Sequence, residues 1–358
     1  MEKNTIIVGT GSYLPKKIIP NSYFLGHSFY ESNGVLSNKP IEEIITTFQK
    51  ITEINERRYV DENEVASDIG YFAAKIAIES SGINLESIDY IIVATNFGDV
   101  AFNNTNPDFV PSIAARIKNK LGIKNPSMVA FDLIFGCPGW LQGMIVADAL
   151  IQSENAKTVL VVGTETLSRV CDPHDRDSMI FSDGAGATII QAAANTSKNV
   201  GILSTAARTD ADYANMLTMG KSYNPFYHND DLFIKMNGQG VYKYALKAVP
   251  LVVQEALEKA GLFLGDVTKL LIHQANGKMD AAILENLTKL YGIKEVPYGI
   301  MPMTIQDLGN SSVATIPTLL DLLVKNNLPG HEIKSGDVIV FASVGAGMNI
   351  NVMVYRMP

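Results

Sequence analysis

Four stretches of the chain are continuous apolar runs, most of them rich in β-branched residues: 90–93, 159–162, 270–272 and 338–341. Runs of this kind, without polar alternation, predict strands buried on both faces, in parallel or mixed sheets covered by helices. Helical spacing precedes two of them. Phe72, Ile76 and Ile78, with Ala73 and Ala77, come before the first run; Val252, Val253, Ala256 and Leu257 come before the third. A further helical pattern follows residue 140 (Leu141, Ile145, Val146, Ala149, Leu150), and another is expected over Thr315 to Leu323.

The pattern repeats. Gly82 to Val93 and Gly261 to Ile272 both read as a glycine stop, a short loop and a buried strand, and they lie 179 residues apart, half the chain. Thr158-Val159-Leu160-Val161-Val162 and Asp337-Val338-Ile339-Val340-Phe341 keep that same offset. Any two β-α-β units share such a plan, because glycine commonly ends helices. Two matches at one offset favour duplication. The expectation is an α/β chain of two similar halves: residues 1–195, a connecting segment 196–231 rich in Asn, Asp, Ser and Tyr, and residues 232–358.

Composition narrows the functional classes. The 358 residues are 47% hydrophobic and only 18% charged, enough for two packed cores and unlike a disordered chain. The net charge of -8 argues against general nucleic-acid binding, which needs a basic surface, but allows a local basic patch. The opening apolar run Thr5 to Gly9 is too short for a signal peptide, and no run is long enough to span a membrane. Cys137 and Cys171 lack metal-site spacing and make no disulfide framework, which predicts a reduced, cytoplasmic setting.

Three segments carry candidate chemistry. Phe135-Gly136-Cys137-Pro138-Gly139-Trp140 places a thiol at a helix start, where the helix dipole favours thiolate. A small buried cysteine fits that segment too. Leu270-Leu271-Ile272-His273-Gln274-Ala275-Asn276 ends a buried strand on a histidine, and Leu308-Gly309-Asn310-Ser311-Ser312 puts an asparagine in a turn before a helix. Each has an ordinary structural explanation alone; together they place reactive side chains at strand carboxyl ends, where α/β sheets gather them.

That ordered set resembles the Cys-His-Asn triad of the ketoacyl-acyl-carrier-protein synthase III family. Ile54-Asn55-Glu56-Arg57-Arg58, Cys171 to Arg176, Ser182 to Ala187 and the tail from Phe341 to Arg356 are similar to that family as well. The resemblance implies a thiolase fold, two duplicated βαβαβ-type halves in a layered α-β-α-β-α arrangement. It implies that Cys137 carries an acyl group and that His273 and Asn310 assist decarboxylative condensation with a malonyl- or β-ketoacyl-type thioester on acyl carrier protein. Backbone N–H groups of Cys137 and of the Gly345-Ala346-Gly347 turn would form the oxyanion hole. A homodimer is implied, and no metal or cofactor beyond coenzyme A or phosphopantetheine as acyl handles. Alternatives are a secondary-metabolite ketosynthase of the resorcinol or quinolone type, a catalytically silent partner subunit, and a cysteine hydrolase.

The chain departs from the family at informative places. Thr47 and Ile51 stand where starter enzymes clamp adenine with tryptophan and arginine, while Arg176 matches another nucleotide-side arginine. Val110, or Phe109 if the register shifts, stands where a bulky phenylalanine caps the acyl pocket across a dimer interface. Trp140 follows the nucleophile and is a further expected substrate contact. Lys243, Lys278 and Lys289 are expected to form a docking patch for the carrier protein.

Overall fold

The computed structural model describes residues 4–193 and 200–358. The first half contains β1 (Thr5–Tyr13), β2 (Lys17–Pro20), α1 (Ile41–Thr52), β3 (Glu56–Tyr59), α2 (Ala66–Ser81), β4 (Tyr90–Ala94) and α3 (Ile113–Leu121). It continues with β5 (Val129–Leu133), α4 (Gly139–Gln152), β6 (Thr158–Thr166) and β7 (Asp183–Ala192). Then come β8 (Gly201–Thr209), β9 (Leu217–Gly220), β10 (Phe233–Met236), α5 (Gly238–Lys259), β11 (Val267–Ile272) and α6 (Gly277–Leu290). The last elements are α7 (Ile305–Leu308), α8 (Thr315–Val324), β12 (Val338–Gly345) and β13 (Asn349–Arg356).

The two main sheets have one plan. The first runs β1-β7-β6-β4-β5, and the second runs β8-β13-β12-β11. In each, the two strands anticipated from sequence pair in parallel, β4 with β6 and β11 with β12, and the next strands pair antiparallel. Helices α2 and α5 end at glycines with left-handed backbone, Gly82 (φ 66°) and Gly261 (φ 67°), so the chain reverses into its strand without Cβ strain.

Packing alternates by strand face. Ile91, Val93, Leu160 and Val162 point toward α2 and α3. Ile92, Val159 and Val161 point toward α4 and α8, which meet Leu271, Ile339 and Phe341 of the second sheet. Leu270, Ile272 and Val340 face α5 and α6. The result is the five-layer arrangement expected, and its two sheets are buried on both faces, as their unalternating runs require.

Three expectations need correction. Residues 201–209, placed in the connecting segment, are β8, an edge strand of the second sheet paired with β13; the expected 195/196 boundary lies outside the described residues. Phe72 does not face the core. The packed face of α2 is Ala73, Ala74 and Ala77, because Gly9 and Gly11 of β1 approach so closely that a Cβ there would lie 2.4 and 2.3 Å from the helix carbonyls of Ala77 and Ala73. Trp140 is 1% exposed in the central layer beside Phe341 and lines no cavity around Cys137, so its bulk fills the core of the molecule.

Candidate active site

Strand order brings five carboxyl ends to one region. Asn96 follows β4, Cys137 follows β5, Glu165 sits near the end of β6, His273 follows β11 and Ala346 follows β12. Cys137 opens onto a cavity of about 340 Å3 whose walls include Phe97, Leu167, Phe181, Leu217, Met219 and Ile234, with Asn96, Asn310, Ser312 and Asn349 among its polar members. Its lining is mostly apolar, suited to an acyl chain with a few orienting groups.

A second cavity, about 500 Å3, meets the first at Asn310. Thr47, Ile51, Arg176, Tyr242, Ala275, Asn276 and Met279 line it. The loop carrying Arg176 is fastened by Lys235 of β10, whose ammonium donates to Asp172 (2.6 Å) and Asp175 (3.1 Å).

Cys137 sits one residue before the proline that caps α4, on a turn made by Gly136 (φ 66°). Gly345 presses against it: a Cβ on Gly345 would lie 2.5 Å from the Cys137 nitrogen. Asn349 holds that turn through its amide to the Ala346 carbonyl (2.8 Å). The thiol is not drawn toward thiolate as the helix start suggested. Burial pushes it up to about 11, and the Ser312 hydroxyl, donating to Sγ at 3.4 Å, offsets only part of this.

His273 is 3% exposed, lines neither cavity wall, and continues the β11–β12 pairing through N–H to Ala342 carbonyl (2.8 Å). Burial lowers it to about 4, so it is neutral near pH 7, and Nδ1 has no partner among the described residues. Its neighbour Gln274 links it to Asn310. The Gln274 amide donates to Pro302 carbonyl, and its oxygen accepts from the N–H groups of Thr304 and Ile305, at the head of the short helix that leads to Gly309. Asn310 bridges to Phe181 through main-chain bonds with Ile180 and Ser182. Its side-chain oxygen accepts the Ser312 N–H, so the amide N–H is the group it can turn to a ligand.

Buried Arg57 supports this loop. Its guanidinium donates to Met179 carbonyl, Ile19 carbonyl and Asn21 Oδ1, and Gly309 packs on its Cβ.

Other expected residues lie apart. Val110 is 86% exposed and Phe109 folds back on Gly98; neither lines the Cys137 cavity of this chain. Lys243, Lys278 and Lys289 are exposed. Lys243 and Lys278 adjoin Tyr242 and Met279 of the second cavity, whereas Lys289 lies further along α6, near Glu285. Sequence reasoning gave no role to Asn96, Glu165 or Ser312. A carboxylate ending the apolar run of β6 was the one available signal.

Residues 131–211 match the 3-Oxoacyl-[acyl-carrier-protein (ACP)] synthase III family, and residues 257–357 match 3-Oxoacyl-[acyl-carrier-protein (ACP)] synthase III C terminal. The chain is 34% identical over 351 residues to Beta-ketoacyl-[acyl-carrier-protein] synthase III 1 of Vibrio vulnificus, covering 95% of this chain and 96% of that protein. The structure resembles the 3-oxoacyl-[acyl-carrier-protein] synthase III of Aquifex aeolicus, with TM-score 0.78, 29% identity and coverage of 98% and 99%. It also resembles the priming beta-ketosynthase of the R1128 polyketide pathway, with TM-score 0.79, 26% identity and coverage of 100% and 97%. The chain therefore belongs to the 3-oxoacyl-[acyl-carrier-protein] synthase III family of condensing acyltransferases.

Proposed function

We propose that Cys137, His273 and Asn310 carry out a decarboxylative condensation on acyl carrier protein, primed by an acyl group longer than acetyl. The observation behind this is the meeting of two cavities at Asn310, one apolar around Cys137 and one open to Arg176. In this reading the Cys137 sulfur attacks an acyl thioester, the oxyanion rests on the N–H groups of Cys137 and Ala346, and the carrier thiol leaves with the proton. A malonyl- or β-ketoacyl-type thioester then occupies the second cavity. As carbon dioxide leaves, His273, neutral and therefore a hydrogen-bond donor without charge, and the Asn310 amide hold the enolate oxygen. The carbanion attacks the acyl-cysteine, and the thiolate is released. No step calls on a metal or redox group.

The longer primer follows from the wall of the second cavity. Thr47 and Ile51 offer adenine no stacking surface, so a coenzyme A handle contributes less. Each buried methylene supplies about 0.8 kcal/mol instead. Val110, exposed here, would reach the acyl cavity of a partner copy in a homodimer. Lys243, Lys278 and Lys289 would receive the acidic carrier protein, and the free thiols Cys137 and Cys171 suit a cytoplasmic setting.

The test is intact-protein mass analysis after incubation with acyl thioesters from acetyl to decanoyl, on coenzyme A and on carrier protein. A stable adduct that Cys137→Ala abolishes is expected, with the fastest loading beyond acetyl. Loss of the acyl group as free acid would favour hydrolysis, no adduct would favour a silent subunit, and a maximum at acetyl-coenzyme A would return the chain to ordinary initiation.

A further inference from the structure

Behind Cys137 runs a line of polar groups that the condensation above leaves unused. Glu165 is fully buried. Its Oε1 accepts the Asn96 N–H, and its Oε2 has no partner among the described residues. The Asn96 side chain then divides. Its oxygen accepts the Gly136 N–H (2.9 Å), at the turn that carries the nucleophile, and its amide donates to Ser312 Oγ (3.4 Å). Ser312 in turn donates to Cys137 Sγ (3.4 Å). Ser312 also has a left-handed backbone (φ 53°), a conformation that disfavours a residue with a Cβ and that surrounding contacts must enforce.

We propose that Asn96, seated on buried Glu165, is a positioning residue that aims the Ser312 hydroxyl at the Cys137 sulfur while anchoring the Gly136 turn beneath it. The inference rests on Cys137 being the nucleophile. Three loops that are distant in sequence converge on one amide, so the amide sets the distance between thiol and hydroxyl. An O–H donor favours the thiolate over the thiol, and it acts where burial opposes ionisation most strongly. Glu165 serves this purpose only while neutral, because a carboxylate charge so near would disfavour thiolate. Burial pushes it up to about 8, which keeps it mainly protonated at neutral pH.

The readout is the rate of Cys137 alkylation by iodoacetamide between about pH 6 and 11, followed by peptide mass analysis so that Cys171 is separated. Ser312→Gly, which suits the left-handed backbone, is expected to move the profile upward and slow alkylation about tenfold below the thiol pKa, the loss of one charge-assisted hydrogen bond. Asn96→Ala is expected to do the same, and the double variant to be no slower than Ser312→Gly alone. Compared at about pH 6–7, where Glu165 is protonated, Glu165→Ala should slow alkylation too, and Glu165→Gln, which keeps an acceptor for the Asn96 N–H, should restore most of the rate. Wild-type profiles in Ser312→Gly and Asn96→Ala overturn the proposal, even if melting temperature falls, and so does simple additivity in the double variant. Should Asn96→Ala fail to fold, the Ser312→Gly profile alone decides. Should wild-type protein form no acyl adduct while the profiles still shift, the functional reading fails and the network stands.

Discussion

Gly345→Ala tests how the proposed nucleophile, Cys137, and the proposed oxyanion donors are held apart. Gly345 has φ −167°, extended backbone that alanine adopts freely, so the obstacle is purely steric. The added methyl would meet the Cys137 nitrogen at 2.5 Å, Pro138 Cδ at 2.8 Å and Cys137 Cβ at 2.9 Å. Ordinary contact begins near 3.4 Å, so one side must retreat by about 0.9 Å. Neither side yields easily. Asn349 pins the turn at the Ala346 carbonyl, and Asn96 pins Gly136. Overpacking of this kind costs about 1–3 kcal/mol. The N–H groups of Cys137 and Ala346 separate by a similar distance, and a shift near 1 Å can cost about 100-fold in rate, comparable to removing one oxyanion donor. Rapid-quench acyl loading, read by intact mass, is expected to fall about 100-fold with a lower melting temperature. Iodoacetamide alkylation, which uses no oxyanion hole, should change only a few-fold. Gly265→Ala, where a Cβ meets nothing within 4 Å, is the neutral control. Loading within about threefold of wild type at an unchanged melting temperature would refute the assignment of this turn.

Four further outcomes are expected. His273→Ala and Asn310→Ala should still load acyl groups but lose condensation by about 100- to 1000-fold each; equal loss of both steps would contradict the division of labour. Arg57→Met strands three acceptors in the core, and a cost of about 3–5 kcal/mol should appear as a lower urea midpoint, with condensation falling through the Gly309–Asn310 loop; an unchanged midpoint would show that the bonds are dispensable. His273 is lowered from 6.5 to about 4, so as pH falls below 6.5 the unfolded chain takes up its proton first and stability declines, levelling off below about 4. His273→Asn removes that term and should gain about 1.4 kcal/mol relative to wild type between pH 7.5 and 5.5 by urea titration; a constant difference would place the histidine in a wetter site. Lys278→Glu should weaken carrier-dependent turnover, more at low salt, and leave loading from small thioesters intact; carrier kinetics unchanged at low salt would remove this lysine from the patch.

The doubled α/β plan was legible along the chain because strands buried on both faces must be apolar at every position. Four such runs at one offset were visible without any contact being known. The candidate residues Cys137, His273 and Asn310 stand out in the sequence for a related reason: each interrupts an apolar or glycine-bounded stretch with a reactive side chain where a strand or turn ends. What lies between the runs was not legible. Polar composition placed residues 201–209 in a connection, yet they form β8, because an edge strand is defined by its partner β13 and carries no apolar run of its own. Phe72 and Trp140 show the limit at single residues. Helical spacing cannot tell that two glycines of β1 bring that strand against the backbone of α2 at Ala73 and Ala77, nor that the layer between two sheets has space for an indole. The convergence of Asn96, Glu165 and Ser312 on the thiol likewise belongs to the tertiary structure alone. Asn96 and Ser312 come from loops and Glu165 from the end of β6, and only strand order, which sets β6, β4 and β5 side by side, together with the turn before α8 that packs on β6, brings their polar groups within hydrogen-bond reach.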